Sequence, residues 1–358
     1  SAANVELDFK KLSSFKDRAV KGLVMGIEKI LADSGVEVLL EEARFLDEKR
    51  LELASGEELE FEHAIIATGS RNRELPHLNT GGEAVIDSTQ ALALQEPPAT
   101  MLIVGAGAIG LEMATIFNRL GTKITVVEML PEILPGLDTE LARMLRIILT
   151  KEGIKFHLNS TVQGVNPLPE GGIQAATSSS SPVKADKLLL SIGRTPNNEP
   201  LEALQLEYGP GGFVPVDERM NTAIPGIKAI GDITGPPLLA HRASHQGITA
   251  VEDITGKIPA DFAFPPVPGA VFTEPEFANV GMTARMYKEK TGEEAVETVF
   301  PVQAVSRARA IGVSEGAFKI VSDQAGKIVG VHILAPGAGD IIAEASLSFL
   351  GLGVPPSI

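Results

Sequence analysis

The 358-residue sequence has no cysteine and no tryptophan, only two tyrosines, and a deficit of positive charge, with 31 Lys and Arg against 46 Asp and Glu. Without a thiol, these residues can form no disulfide, thiolate nucleophile, thiolate metal site or dithiol redox centre. Six histidines are scattered along the chain. None shows HExxH spacing or a close pairing with acidic ligands, so no metal site is expected. The net charge of −15 repels phosphate, which argues against nucleic acid or an anionic membrane as a partner. Long apolar runs are missing too: none reaches the length of a membrane span without a charge or a glycine break. The opening residues, SAANVELDFKK, lack the basic-then-apolar order of a secretion signal, so the default expectation is a cytoplasmic protein.

What the sequence does have is glycine, 36 residues of it, within a composition that is 44% hydrophobic. That balance suits a soluble α/β enzyme of two or three domains. The most informative stretch is MLIVGAGAIGLEMATIFNRLGTKITVVE, residues 101–128. An apolar run, Met101 to Val104, enters Gly105-Ala-Gly107-Ala108-Ile109-Gly110; a helix-like segment follows, then a second apolar run ending in Glu128. This is the dinucleotide-binding pattern with its strand, helix and acid in place. Gly105 permits a tight turn, Gly107 lets the backbone approach a pyrophosphate, and Gly110 lets helix and strand pack closely. The helix N-terminus offers free N–H groups to the phosphates. Glu128, 23 positions after Gly105, can accept hydrogen bonds from both ribose hydroxyls and would repel a 2′-phosphate, so NAD is favoured over NADP.

Elsewhere the spacing of Val20, Leu23, Val24, Ile27, Ile30 and Leu31 predicts an amphipathic helix over 14–32. Residues 36–67 read as three strands, VEVLLEEARFL, RLELA and ELEFEHAIIAT, with Ser55-Gly56 as a turn. A loop over residues 79–98 leads into the glycine motif. Residues 100–195 read β-α-β-α-β-β-β, with an exposed low-complexity loop, TSSSSP, at 177–182. ADKLLLSIG and IKAIGD read as further strands and residues 243–256 as a helix. Pro265-Pro266 and Pro268-Gly269 mark a boundary. Beyond it GAVFT, AVETVFPV, AFKIVSD and KIVGVHIL suggest an antiparallel sheet, with a turn at Asp323–Gly326.

Several separated motifs then fit one family. They are Ile65-Ile-Ala-Thr-Gly69-Ser70 with Pro76, GAGAIGLE at 105–112 with Glu128, and Ser191-Ile-Gly193-Arg-Thr-Pro-Asn197. Ala229-Ile-Gly-Asp232 with Leu239-Ala240-His241, and Phe272-Thr-Glu-Pro-Glu276-Phe-Ala-Asn-Val-Gly281, complete the set. In order and spacing the chain resembles the flavoprotein pyridine nucleotide–disulfide oxidoreductases, with the dihydrolipoamide dehydrogenase branch nearest. The resemblance implies an α/β fold: a partial FAD-binding domain at 1–98, a Rossmann-like NAD domain at 99–222, a return segment of the FAD domain at 223–262, and an α+β interface domain at 263–358 that mediates homo-oligomerisation. It implies NAD at Gly105, Gly107, Ala108, Ile109, Gly110 and Glu128, with Gly193 beside the nicotinamide half. Glu112 falls where the family places a carboxylate between nicotinamide and flavin. Asp232 would accept from the flavin ribityl chain, and Leu239, Ala240 and His241 would face its ring.

The departures set a second expectation. The family begins with a βαβ unit carrying its own GxGxxG, which needs about 30 residues that do not exist before residue 14, and continues with a Cys-x4-Cys pair. It ends with a His and a nearby Glu, whereas residues 343–358, AEASLSFLGLGVPPSI, hold no histidine and look faintly like a permease segment. The expectation is a truncated member with poor FAD affinity, exposed sheet edges, and at most diaphorase-type hydride transfer without disulfide reduction. A different chemistry is suggested by Gly312-Val-Ser314-Glu-Gly316, followed by Asp323 and His332 in the order of α/β-hydrolases. Ester hydrolysis by Ser314 with His332, or by another exposed serine near His332 or His241, is the alternative. A non-catalytic NAD-binding remnant is the third reading.

Overall fold

A computed structural model describes residues 7–78, 82–169, 171–179 and 181–350. Along them run α1 (Phe9–Asp33), strands β1 (Ala43–Phe45), β2 (Arg50–Leu53), β3 (Glu58–Glu60), β4 (Ala64–Ile66), β5 (Ser70–Asn72) and β6 (Val85–Ile86), and the short α2 (Ser88–Leu92). Next come β7 (Thr100–Val104), α3 (Ala108–Arg119), β8 (Lys123–Val127), α4 (Thr139–Lys151), and β9 (Lys155–His157). They are followed by β10 (Val162–Pro167), β11 (Ile173–Thr177), β12 (Val183–Ala185), β13 (Lys187–Leu190), β14 (Arg194–Pro196), β15 (Ile227–Ala229) and α5 (Ala240–Ile254). The last part holds β16 (Gly269–Val271), β17 (Glu276–Gly281), α6 (Ala284–Thr291), β18 (Val296–Pro301), α7 (Ser306–Ala310), β19 (Ala317–Ser322), β20 (Ile328–Ala335) and α8 (Ala338–Leu347). These elements form two compact units, one of residues 1–71, 92–97 and 194–263, the other of 72–91, 98–193 and 264–358.

In the first unit, α1 starts earlier than its apolar spacing suggests because Asp8 caps it, its carboxylate accepting from Lys11 N at 3.0 Å. Gly35, left-handed at φ 69°, ends the helix, and the Val36 N–H closes back onto Leu31 O at 3.0 Å. The strand expected from Val36 begins only at Ala43. A strand needs a hydrogen-bonded neighbour, and Val36, Val38, Leu39 and Leu40 stand exposed without one among the described residues. From Ala43 the chain forms an antiparallel meander, β1-β2-β3, turning at Ser55-Gly56 as expected. The third expected strand is two: after β3 the chain breaks at Phe61–His63, and β4 pairs in parallel with β15 instead. Phe61 packs edge-on against Phe45 with ring centroids 5.8 Å apart, over a core that includes Ile66, Leu201, Val214, Ile227 and Ile233.

The second unit carries a parallel sheet of order β6-β13-β7-β8-β9. β7 lies in its middle, and Met101, Leu102 and Ile103 are almost fully buried. Central parallel strands, covered on both faces, read as continuous apolar runs rather than alternating ones. The three-stranded β10-β11-β12 meander shares a core with this sheet through Ile173, Ala175, Leu102 and Leu188. β6, in the expected loop, contributes an edge. The C-terminal sheet is antiparallel throughout, in the order β16-β17-β20-β19-β18. β17, inside the FTEPEFANVG motif, was not anticipated as a strand; it fills the place between β16 and β20. α8 packs on β17 and β20, so residues 343–347 of the divergent tail are helical, while 351–358 lie outside the described residues. Among the described residues no helix is long and apolar enough to cross a membrane, and no three His, Asp or Glu side chains are grouped to hold a metal.

Candidate functional site

The turn between β7 and α3 is built by its glycines. Gly105 has φ 101°, and a Cβ there would lie 2.4 Å from Ser191 O. A Cβ on Gly110 would lie 2.1 Å from Gly105 O, inside van der Waals contact, so helix and turn close together only without a side chain. Gly107 differs: the space around its missing Cβ is open. It is the N-cap of α3, and no side chain caps the helix, so the first-turn N–H groups face outward with a positive dipole end. A Cβ-less approach path above uncapped amides is what a pyrophosphate needs. Ala108, Ile109 and Gly110 form that first turn.

Glu128 directly follows β8 and is only 5% exposed. One carboxylate oxygen accepts from Ala106 N at 2.7 Å, inside the glycine turn, and the other from Leu130 N at 2.9 Å. Each oxygen keeps a second lone pair for a ligand hydroxyl. Glu128 thus has a structural duty that its spacing does not disclose: it ties the turn to the loop after β8. Leu134 in that loop adds a third tie, its N–H donating to Ala106 O at 2.9 Å.

Glu112, in the second turn of α3, is half-buried and accepts from Phe272 N at 3.0 Å. Burial pushes its carboxyl above the usual range, and the Phe272 N–H pulls part of the way back. Gly193, at φ 102°, follows Ser191, whose hydroxyl donates at 3.0 Å to Val104 O or Gly105 O. The backbone N–H of Arg73 donates to Gly193 O at 3.1 Å. The structure therefore gathers Gly105, Gly107, Gly110, Glu128 and the strand end leading to Gly193 around one turn.

Asp232 belongs to the other unit. Its Oδ2 accepts from the Ser70 hydroxyl at 2.5 Å, and Arg194 Nε donates to the same hydroxyl at 2.6 Å. Gln246, 1% exposed, holds the backbone here by accepting from Gly231 N at 2.8 Å. Ser70 and Arg194 sit in the ATGS and SIGRTPN motifs, but spacing gave no sign that they meet. Nothing in the sequence singles out Gln246. Leu239 is half-buried, whereas Ala240 and His241 are exposed on the first turn of α5. Nearby, Arg242 donates to Gly235 O at 2.6 Å, and burial draws its guanidinium below the usual value, against the pull of Asp232.

The hydrolase arrangement is not formed. Ser314 is exposed in a loop that runs into strand β19, not into a helix, so no elbow and no helix dipole serve it. His332 is 1% exposed on β20, opposite Lys319, with Nε2 3.2 Å from Met282 O. Asp323 spends one carboxylate oxygen on the N–H groups of Ala325 and Lys327 within the β19–β20 turn. Sequence order placed the three residues in a line; the ladder register puts them at different points along a strand pair.

The family profile described as "Pyridine nucleotide-disulphide oxidoreductase" matches residues 2–247, and that of its dimerisation domain matches residues 267–351. The chain is 38% identical to mitochondrial dihydrolipoyl dehydrogenase of Pisum sativum, over 97% of this chain and 71% of the relative. It is 39% identical to dihydrolipoyl dehydrogenase of Thermus scotoductus, over 99% of this chain and 79% of that one. Among solved structures it resembles an HOCl-induced flavoprotein disulfide reductase from Escherichia coli, with a TM-score of 0.87 at 26% identity, covering 98% of this chain and 84% of the other.

Proposed function

The chain belongs to the pyridine nucleotide–disulphide oxidoreductase family, and on that premise we propose that its glycine turn binds NAD(H) in a dihydrolipoamide dehydrogenase-like flavin oxidoreductase. The observation that carries the reading is the uncapped α3 N-terminus above Gly107, closed on one side by buried Glu128. Gly107, Ala108, Ile109 and Gly110 would bring amides to the pyrophosphate, and Glu128 would accept from the adenosine ribose. Gly193 would let the backbone pass the nicotinamide half. Glu112 is our candidate for the carboxylate at the reactive end. Its raised pKa keeps a proton available there at higher pH than an exposed glutamate would.

For flavin, we assign Asp232 with Leu239, Ala240 and His241. Asp232 fits a hydroxylated chain: Ser70, Arg194 and the Gln246-pinned turn fix its carboxylate, which is still about a quarter exposed at 27%. Nicotinamide supplies or accepts a hydride, and flavin passes electrons on. The 358 residues contain no cysteine, so a thiol step would need sulfur from outside them; diaphorase-type transfer to a dye, quinone or oxygen needs none. A homo-oligomer formed through residues 263–358 is part of the same proposal, supported by the dimerisation-domain match.

Because the chain has no tryptophan, calorimetry suits it better than fluorescence. Titration with NADH should give binding heat, and NADPH should bind far more weakly because Glu128 faces the 2′ position. Equal affinity for both would sink the ribose assignment, and no heat from either at millimolar nucleotide would sink the site. Given the poor FAD affinity expected from the sequence, visible absorption should show bound-flavin bands once excess FAD is added; a protein that takes up no added FAD would remove the flavin half and leave the NAD half standing.

A further inference from the structure

Lys319 is a charged residue in a place the hydride chemistry does not use. It lies on β19, is 4% exposed, and puts its ammonium among three carboxylates: Asp138 at 3.0 Å, Glu140 at 3.0 Å and Glu297 at 2.6 Å. Two of these open α4, in the half of the unit that carries the glycine turn. A buried cation seated so fully resists displacement, because any movement strands charge in a poorly solvated place.

Asp138 works in two directions. Its Oδ2 meets Lys319, while its Oδ1 accepts from Leu141 N at 3.0 Å and so caps α4. The rotamer of the cap is thereby fixed by the lysine. Asp138 also ends the loop that begins after Glu128. Within that loop Leu134 takes a left-handed conformation, φ 51°, uncommon for a non-glycine residue and held only by its surroundings. Its N–H donates to Ala106 O, and Leu137 N closes onto Leu134 O at 3.1 Å. At the other end Leu130 N and Ala106 N share the Glu128 carboxylate. An unbroken set of contacts thus runs from Lys319 through Asp138 and the 129–138 loop to the glycine turn.

We propose that Lys319 is a positioning residue for nucleotide binding: it clamps the α4 cap and so holds the loop that fixes Ala106 and Glu128 in their ligand-ready arrangement. This rests on the reading that the turn binds NAD(H). The lysine touches no ligand in this role. It makes nucleotide affinity depend on a strand of the C-terminal sheet.

The test is calorimetric NADH titration of the full chain and of Lys319→Met, Lys319→Arg and Asp138→Asn, with melting temperature measured alongside. Asn is as good an N-cap as Asp, so Asp138→Asn keeps α4 started while removing the charge that the lysine holds; it decides the matter if Lys319→Met fails to fold. Lys319→Met and Asp138→Asn should each weaken NADH binding by roughly two- to thirty-fold, the range typical of coupling carried through packed contacts. Lys319→Arg keeps the charge and should restore most of the affinity. Lys228→Met is the matched control, removing a buried lysine that pairs with Asp253 in the other unit. It should lower the melting temperature and leave NADH affinity unchanged. Wild-type affinity in folded Lys319→Met or Asp138→Asn would overturn the proposal, as would an Arg variant as weak as the Met variant or an equal loss in Lys228→Met. If the unmodified chain binds no NADH, the nucleotide reading fails first.

Discussion

Helices α1 and α3 both carry an apolar stripe at helical spacing, yet only one uses it. α3, twelve residues long, buries six of them, including Leu111, Met113, Ala114 and Phe117. α1 is twice as long at 25 residues and buries none. Of the six residues that define its stripe, Val20, Leu23, Val24, Ile27 and Ile30 are about half exposed or more, and Leu31 alone is partly buried. Periodicity therefore says which face of a helix seeks cover, and nothing about whether the cover is there. For α3 the cover is the β7–β8 sheet beneath it; for α1 no described residue supplies it. Energetically the two stripes are not equivalent, since apolar area stabilises only when it leaves water.

The largest effect that can test this contrast is in α3. Leu111 is fully buried, and Leu111→Ala should cost about 2–5 kcal/mol by removing side-chain volume from a closed site. Urea unfolding would measure it, and a cost near zero would mean that α3 is no better packed than α1. Gly110→Ala comes next. Its new Cβ would overlap the Gly105 carbonyl, and backbone cannot move aside as a flexible side chain can, so a loss of about 1–3 kcal/mol is expected from overpacking. NADH binding should fall with it, because the overlap reshapes the turn itself. The same substitution at Gly22 of α1, where nothing lies within 4 Å, should instead be neutral or slightly stabilising through helix propensity. If both glycines tolerate alanine equally, the close approach at Gly110 is wrong.

Legibility in the sequence followed the same division. The glycine turn, the antiparallel C-terminal sheet and the turn at Asp323–Gly326 could be read because their causes are local: a required φ, an apolar run, a pair of turn residues. β6 escaped because it is only two residues long, and β17 because polar Glu276 and Asn279 interrupt Phe277, Ala278 and Val280 without a strand-like alternation. The run Val36–Leu40 misled because it has strand-forming residues and no partner strand among the described residues. Within the candidate site, Gly105, Gly110 and Glu128 stood out by spacing. The tie from Glu128 to Ala106, the meeting of Ser70 with Arg194, and the seat of Lys319 are tertiary contacts between separated segments, and no spacing rule encodes them. The Ser314–His332 pairing failed for the complementary reason: linear order was present, and the strand register that decides contact was not visible.

A smaller effect tests what packing does to charge on α3. Glu112 is partly desolvated against β16, and its carboxyl is held above 4.5. The folded chain therefore binds this proton more tightly than the unfolded chain does. The stability it contributes is fully present below the unfolded value and is lost as pH rises through the folded one. Glu112→Gln removes that proton while leaving an oxygen for the Phe272 N–H. The melting temperature of the variant relative to the parent should thus improve as pH is raised from about 4 through the weakly acid range, then level off. A difference that stays flat with pH would show that Glu112 is no more desolvated than a surface glutamate.

The smallest expected change in stability is the one that most sharpens the contrast. Leu23 sits at the centre of the α1 stripe and is 72% exposed. Leu23→Gln removes apolar surface that is already in water and keeps a residue of similar helix propensity, so its effect on unfolding free energy should lie within about 0.5 kcal/mol. Self-association is where it should register, because a row of exposed aliphatic residues along a helix is a site for intermolecular contact. Light scattering at rising concentration should therefore show less aggregation for Leu23→Gln than for the parent, with unfolding curves that superimpose. A loss of several kcal/mol at this position would instead mean that the α1 stripe is covered in solution, and that the two helices differ less than their exposure indicates.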